Sequence, residues 1–242
     1  MKEKNPLLCL FGGIALLAAG FSFAANAAET LLFQSQFGSA DPLKGWMDVN
    51  KKTPDSKKYK IIEKDGVKCL ETPAIYFGIA HRLSKSVVIN DNLKKVTLKV
   101  TLMKPEAQKG RIVSIALTSR NDVALDAGQA FWKLRDSGFM AYGYSYSILA
   151  ANHLMYQVEG KQVKSPKATT PHNLLPARNK WVTWTLVYDH TRKVIDFFND
   201  EKAEKPFWSF YNVNIDNVEL RSVWVCCWGT IYKDIKVTCE TK

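Results

Sequence analysis

Apolar and polar residues alternate with a period of two along much of this chain. In Val96–Leu102, valine and leucine alternate with threonine and lysine, and the segments Val113–Leu117 and Val182–Tyr188 repeat the alternation. Successive side chains of a strand point to opposite faces, so each segment predicts a strand with one face turned to a core.

Residue pairs typical of tight turns separate these runs, among them Asp65-Gly66, Glu159-Gly160 and Asn199-Asp200. Asn, Asp and Gly tolerate the positive φ of such turns, and we expect Asn199-Asp200 to close a tight hairpin. The best helical candidate, Ala124–Arg135, is short and contains Gly128. Short strands divided by turns predict an all-β sandwich or barrel.

The first 27 residues have the features of a signal peptide. Lys2 and Lys4 precede the apolar run Leu7–Phe23, which is followed by Ala25-Asn26-Ala27, the small-residue pattern that signal peptidase cleaves. The alternative is an uncleaved anchor, although the run is marginal for spanning a core of ~30 Å. We predict an exported protein (periplasmic, cell-surface or secreted) without stable membrane insertion after cleavage, with residues 28–242 forming a single domain.

The chain is basic. It has 34 Lys and Arg residues against 23 Asp and Glu, for a net charge of +11, and the cations are spread along the whole sequence. A surplus of this kind attracts anionic partners over long range. A basic arm or nucleic-acid-binding motif is missing, so an acidic polysaccharide or the anionic cell envelope fits better than nucleic acid.

Four cysteines follow the predicted signal peptide: Cys69, Cys226, Cys227 and Cys239. An even number permits disulfides in an oxidising compartment. Cys226 and Cys227 are adjacent, so on a strand they point to opposite faces and cannot both pair into one layer. A single bridge to Cys239 or Cys69 and a set of buried thiols both stay open, and the spacing of a zinc site does not occur.

Three segments resemble concanavalin A-like sandwich domains. Leu31–Phe37 with Gly45-Trp46 resembles their opening strand and Gly-Trp turn, Lys180–Asp189 with Val194–Asp200 resembles the central hairpin of laminin-G-like members, and Gly229–Val237 is similar to their closing strand. The resemblance implies a two-sheet antiparallel jelly roll. It also implies that Thr230–Cys239 lies beside Leu31–Phe37, with Ile235 and Val237 in the core.

The sequence does not name a reaction. The glucanases of this superfamily carry Glu-x-Asp-x-(x)-Glu on one strand, and lyases on a similar fold carry Gln-x-His and Tyr-x-Lys-x-Gly, but these motifs are missing here. We therefore assign no catalytic residue. His81, next to Arg82 at the end of a strand, is either a catalytic base or a hydrogen-bonded structural histidine.

A tyrosine stripe is the best binding candidate. Tyr142, Tyr144 and Tyr146 lie on one strand face at a spacing of ~6.6–6.8 Å, which suits aromatic stacking on successive sugar rings. The opposite face holds only small residues, so the tyrosines belong either to the core or to an exposed platform. Trp132, His81 and Arg82 complete the candidate carbohydrate-binding set.

Calcium is common in related sandwiches, and Asn121, Asp122 and Asp126 are oxygen donors in one segment. Their spacing matches no calcium motif, so a plain polar loop is the alternative and we predict no cofactor or metal site. The sequence favours an exported protein that binds carbohydrate, with an anionic polysaccharide as the preferred partner. The alternatives are a polysaccharide lyase or glycoside hydrolase with an unrecognised site, and an envelope structural or adhesion protein.

Overall fold

A computed structural model describes residues 29–48, 53–74, 78–106, 111–120, 137–146, 149–164, 177–226 and 228–242, with the backbone alone at residues 111–112, 144–146 and 149–153. Within these ranges, none of the segments forms a helix that is long and apolar enough to cross a membrane. The strands are β1 (Thr30–Gln34), β2 (Trp46–Met47), β3 (Lys60–Lys64), β4 (Val67–Glu71), β5 (Gly78–Val88), β6 (Leu93–Met103), β7 (Arg111–Thr118), β8 (Gly138–Tyr146), β9 (Leu149–Val158), β10 (Lys161–Lys164), β11 (Val182–Asp189), β12 (Val194–Phe198), β13 (Trp208–Phe210), β14 (Glu219–Cys226) and β15 (Ile231–Thr241).

The strands form two antiparallel sheets. One has the order β13-β12-β11-β6-β15-β4-β3, with β1 also paired to β15, and is called the eight-stranded sheet. The other, the seven-stranded sheet, has the order β10-β9-β8-β7-β14-β5-β2. This is the all-β, two-sheet antiparallel sandwich that the sequence predicts.

The core lies between the two sheets and follows the alternation of the sequence. Leu98 and Val100 of β6 and Trp184 of β11 are fully buried, as are Val113 and Ile115 of β7 in the facing sheet. Removing these side chains from water is the main stabilising contribution to such a sandwich. The three alternating segments are therefore strands whose apolar residues face the core, as predicted.

The two ends of the described chain pair with each other. β1 runs antiparallel to β15, with Thr30 opposite Cys239 and Gln34 opposite Lys236. Ile235 and Val237 are fully buried between the sheets. The predicted pairing of the first and last strands is confirmed.

The turns confirm two of the three predicted pairs. Asp65 and Gly66 have φ of 52° and 72°, and Glu159 and Gly160 have φ of 49° and 78°, so both pairs close tight hairpins.

The prediction for Asn199-Asp200 is wrong. β12 ends at Phe198 and β13 begins at Trp208, so the pair opens a longer loop, and neither residue has positive φ. The Asp200 carboxylate accepts the amide of Lys202 at 2.9 Å, a local turn that competes with a hairpin.

Cys69, Cys226 and Cys239 are buried free thiols, so no bridge joins them. They lie in three separate apolar clusters, which keeps them apart: Cys239 in the core, Cys226 on the outer face of the seven-stranded sheet, and Cys69 with Met103 and Ile231. Cys227 lies outside the described residues. The interpretation as buried thiols therefore holds for these three.

Candidate functional site

A groove of about 720 Å³ lies at one edge of the sandwich, between β1 of one sheet and β5 of the other. Residues Leu31–Gln34 form one wall and His81–Ser84 the other, while the turn that carries Lys44, Gly45 and Trp46 closes one end. We call it the β1–β5 groove. A well-formed concave site with several polar groups is the usual place to look for ligand binding.

An irregularity in β5 creates this groove. Arg82 pairs with Ser222 and Val87 with Leu220, so five steps along β5 correspond to two along β14. The extra residues bulge away from the sheet, as strands do where they redirect side chains. The hydroxyl of Ser84, inside the bulge, donates a 2.7 Å hydrogen bond to the carbonyl oxygen of Leu32 and so ties β5 to β1.

The floor of the groove is aromatic. The ring of His81 has its centroid 4.5 Å from that of Phe33 and 5.4 Å from that of Trp46, and the latter two rings are 5.7 Å apart. Phe33 and Trp46 are buried, and His81 is half-buried. Rings at such separations stabilise one another beyond the area they bury.

Hydrogen bonds fix the His81 ring from both sides. Nδ1 lies 2.6 Å from the carbonyl oxygen of Arg82, and Nε2 lies 3.2 Å from that of Lys44. Carbonyl oxygens only accept, so the ring donates to at least one of these two oxygens, and its other nitrogen also lies against a backbone carbonyl. A general base needs a ring nitrogen with a free lone pair facing its substrate. This geometry favours the structural histidine over the catalytic base.

The rim is polar and exposed. Arg82 and Lys44 contribute cations and Asp41 contributes a carboxylate. Amide and hydroxyl groups come from Gln34, Gln36, Ser39 and Ser84. The groove thus combines an apolar aromatic floor with a rim of hydrogen-bonding groups that carries more positive than negative charge.

Tyr142 lies elsewhere, on the outer face of the seven-stranded sheet. Its neighbour Ala141 faces the core, whereas Tyr142 packs in an apolar layer with Met140, Met155, Trp224 and other residues of that face. It is 8% exposed. The tyrosine is therefore neither between the sheets nor an open stacking surface.

The other sequence-predicted residues divide between the groove and the segments that are not described. The side chains of Tyr144 and Tyr146, and the whole of Trp132, lie outside the described part of the chain. Arg82 is separated from Tyr142 by three strand spacings, about 14 Å across the sheet. His81 and Arg82 thus meet in the β1–β5 groove without Tyr142.

Sequence reasoning missed six groups on the rim: Gln34, Gln36, Ser39, Asp41, Lys44 and Ser84. The Gly45-Trp46 motif lies close to several of them in the sequence, but it indicated the fold rather than a binding site. The bulge that turns Ser84 toward β1 follows from a register that no local pattern displays.

The described residues contain no group of three or more His, Cys, Asp or Glu that could hold a metal ion. Asn121, Asp122 and Asp126 lie outside the described ranges, so calcium binding by them stays an open alternative.

No protein-family model and no curated protein sequence matches the chain. Solved structures are similar to it. The exoplasmic/lumenal domain of VIP36, in a Ca²⁺/Man3GlcNAc-bound form, has a TM-score of 0.53 and 11% identity, covering 84% of this chain and 86% of that one. The carbohydrate recognition domain of Emp46p, in a metal-free form, has a TM-score of 0.51 and 11% identity, with 86% and 94% covered.

A third structure is the CBM2 module of the evolved Dit protein of Lactobacillus casei BL23 phage J-1. Its TM-score is 0.52 at 8% identity, and the alignment covers 88% of this chain and 97% of that one. Identities this low are informative about the fold alone. Together with the two antiparallel sheets and their paired terminal strands, these likenesses establish that the chain has the concanavalin A-like β-sandwich fold.

Proposed function

We propose that this protein binds a saccharide in the β1–β5 groove. The observation that carries the proposal is a groove in which the exposed Leu31 and the half-buried ring of His81 provide apolar surface beside an exposed rim of amide, hydroxyl and charged groups, supported from below by the packed rings of Phe33 and Trp46. Sugars present apolar ring faces and a belt of hydroxyls, and a site of this composition can satisfy both.

The fold supports the proposal by analogy. VIP36 is described in a Man3GlcNAc-bound form, and the Emp46p structure is a carbohydrate recognition domain. One fold hosts many functions, so the groove chemistry has to carry the argument for this chain.

We further propose that the preferred saccharide is anionic. Arg82 and Lys44 on the rim outnumber the single carboxylate of Asp41, and the chain carries a net charge of +11. A guanidinium can bind a carboxylate through two parallel hydrogen bonds, which suits a uronic acid.

Export is part of the same proposal, because the glycans concerned lie outside the cytoplasm. It rests on the charged start, apolar run and Ala25-Asn26-Ala27 of the sequence. Mass spectrometry of the mature protein tests it: the chain should begin at Ala28, and an intact Met1–Ala27 segment would contradict export by cleavage.

Binding is tested by a glycan array followed by calorimetry. Arg82→Gln and Lys44→Gln should each weaken binding of a uronate glycan about three- to tenfold, the net worth of one solvent-exposed hydrogen bond, while the protein stays folded. Lys205→Gln is the control, since it removes the same charge from the exposed loop between β12 and β13, at the end of the eight-stranded sheet away from β1.

Two results would contradict the proposal. One is the absence of retention on any glycan, and the other is an equal loss of affinity in the control variant. Release of unsaturated sugars from a uronate polymer would instead make the protein a lyase, the alternative left open by the sequence.

A further inference from the structure

A second groove, of about 380 Å³, continues the first along the same sandwich edge. Residues Lys85–Val88 of β5 form one wall, and Thr30 and Thr241 lie on the opposite side. Leu32 lines both grooves, and the hydrogen bond from Ser84 to its carbonyl oxygen stands between them.

We propose that the two grooves act as one extended cleft that binds the interior of a linear anionic polysaccharide. This inference rests on the proposed function and extends it from a single sugar to successive sugars of a polymer. The hydrogen bond between Ser84 and Leu32 would lie beneath the bound polysaccharide, between the subsites of the first groove and those of the second.

The length of the cleft supports a polymer. β5 lines it without a break from His81 to Val88, and because this stretch contains the bulge it spans the four steps of β14 from Val223 to Glu219, about 14 Å. That distance is longer than one sugar ring. A site for a single terminal sugar needs only a compact pocket.

The charges along the cleft support an anionic ligand. Lys44 and Arg82 lie in the first groove and Lys85 in the second, so exposed cations line both halves. Arg82 and Lys85 are three residues apart on the same wall, one in each groove. A polymer with a carboxylate on each sugar could reach both.

Two of the carboxylates near the cleft are engaged by neighbouring groups. Glu29 accepts a 2.7 Å hydrogen bond from the hydroxyl of Thr238. Glu219 is bound by Arg221, with a further hydrogen bond from Ser86, and these contacts hold its pKa below the usual range. Asp41 is the single carboxylate among the residues that line the two grooves, against the cations Lys44, Arg82 and Lys85, so positive charge predominates on the cleft wall.

Exposed apolar side chains lie in both halves as well. Leu31 is 50% exposed in the first groove and Val88 is 45% exposed in the second. Apolar surface beside cations is what a uronic acid can use, since its ring presents apolar faces and its carboxylate a charge. Each half of the cleft therefore has the elements of a subsite.

Calorimetry with oligomers of galacturonate, mannuronate and hyaluronan, from disaccharide to octasaccharide, tests this inference. For the series that binds, we expect affinity to rise at least about tenfold from disaccharide to hexasaccharide, as contacts in the second groove are added. Lys85→Gln should remove about three- to tenfold of the affinity for the octasaccharide and leave the disaccharide unaffected. Arg82→Gln should weaken binding of both lengths, and Lys205→Gln should weaken neither.

The outcomes separate this inference from the proposed function. One outcome would overturn the extended cleft alone: disaccharide binding depends on Arg82, affinity does not rise with oligomer length, and Lys85→Gln does not change the affinity. No affinity for any oligomer would overturn both. Equal affinity for single-stranded oligonucleotides of matched charge would also overturn the inference, because the cleft would then be selecting charge rather than sugar.

Discussion

The imidazole of His81 occupies the space that a side chain at Gly45 would need. A β-carbon built on Gly45 would lie 2.4 Å from Nε2 of His81, and Gly45 has φ of +78°, a conformation that favours glycine. The ring and the turn are therefore fitted to each other, and the end of the β1–β5 groove depends on that fit.

We expect Gly45→Ala to destabilise the protein more than Gly66→Ala. Both glycines have φ above +70°, so each substitution carries the conformational cost of about 1–2 kcal/mol. Only at residue 45 does the new methyl group meet another side chain, because a β-carbon at Gly66 has no atom within 4 Å. The added cost of overpacking is about 1–3 kcal/mol, measurable by urea unfolding. Combining Gly45→Ala with His81→Ala should recover part of this added cost. Equal losses of stability in Gly45→Ala and Gly66→Ala would contradict the contact between residue 45 and His81.

Replacement of Tyr142 by alanine should cost stability. The ring is packed among Met140, Met155 and Trp224 and is almost fully buried, so its loss should lower the free energy of unfolding by about 3–5 kcal/mol. Tyr211→Ala is the matched control, because that ring is 63% exposed and its loss should change stability by less than about 0.5 kcal/mol. A Tyr142→Ala variant that is stable but binds glycan less tightly would instead support the hypothesis that Tyr142 belongs to an exposed stacking platform.

Removal of the Arg192 guanidinium should destabilise the protein at neutral pH and much less in acid. Burial alone would raise the pKa of Asp189, but hydrogen bonds from the side chain and backbone of Arg192 outweigh it and leave that pKa below its usual range. A carboxylate with a lowered pKa contributes stability above the ordinary value of ~3.9, and the contribution is lost as the pH falls through the folded-state pKa.

Arg192→Gln should accordingly lower the free energy of unfolding by about 1–2 kcal/mol near neutral pH, a modest figure because the guanidinium is half exposed to solvent. The difference from wild type should shrink as the pH falls below the ordinary aspartate pKa of ~3.9 and through the lower pKa of the folded state. Urea titrations at neutral and acid pH measure it, and Lys205→Gln removes an exposed cation as the control. A pH-independent difference would contradict the ion-pair interpretation.

The three described thiols should resist alkylation in the folded protein. Burial raises the pKa of Cys69, Cys226 and Cys239, so little reactive thiolate forms in mildly alkaline solution. Iodoacetamide followed by peptide mapping should leave them unmodified until the protein is unfolded in urea. Rapid labelling of Cys226 in the folded state, or a disulfide-linked peptide that contains Cys69 or Cys239, would contradict the buried thiols.

The candidate site was only partly predictable. Adjacent His81 and Arg82 stand out in the sequence, and the structure places both in the groove. Their roles differ because alternate residues of a strand face opposite ways: the His81 ring packs on Phe33 and Trp46, while Arg82 is exposed on the rim. Tyr142 shows a related limit, since period-two spacing specifies which side chains share a face but not whether that face is covered.

The alternation in the sequence by itself determined the strands, and the resemblance to concanavalin A-like domains indicated the sandwich and the pairing of its ends. Alternation such as that of Val96–Leu102 acts locally, because burying every second side chain is the only way to remove these residues from water on a pleated sheet. The tertiary structure alone decided where a ligand could bind. The groove exists because five steps of β5 face two of β14 and Ser84 reaches Leu32, which is 52 residues away in sequence. Such a register depends on the packing of distant strands, and no local pattern encodes it.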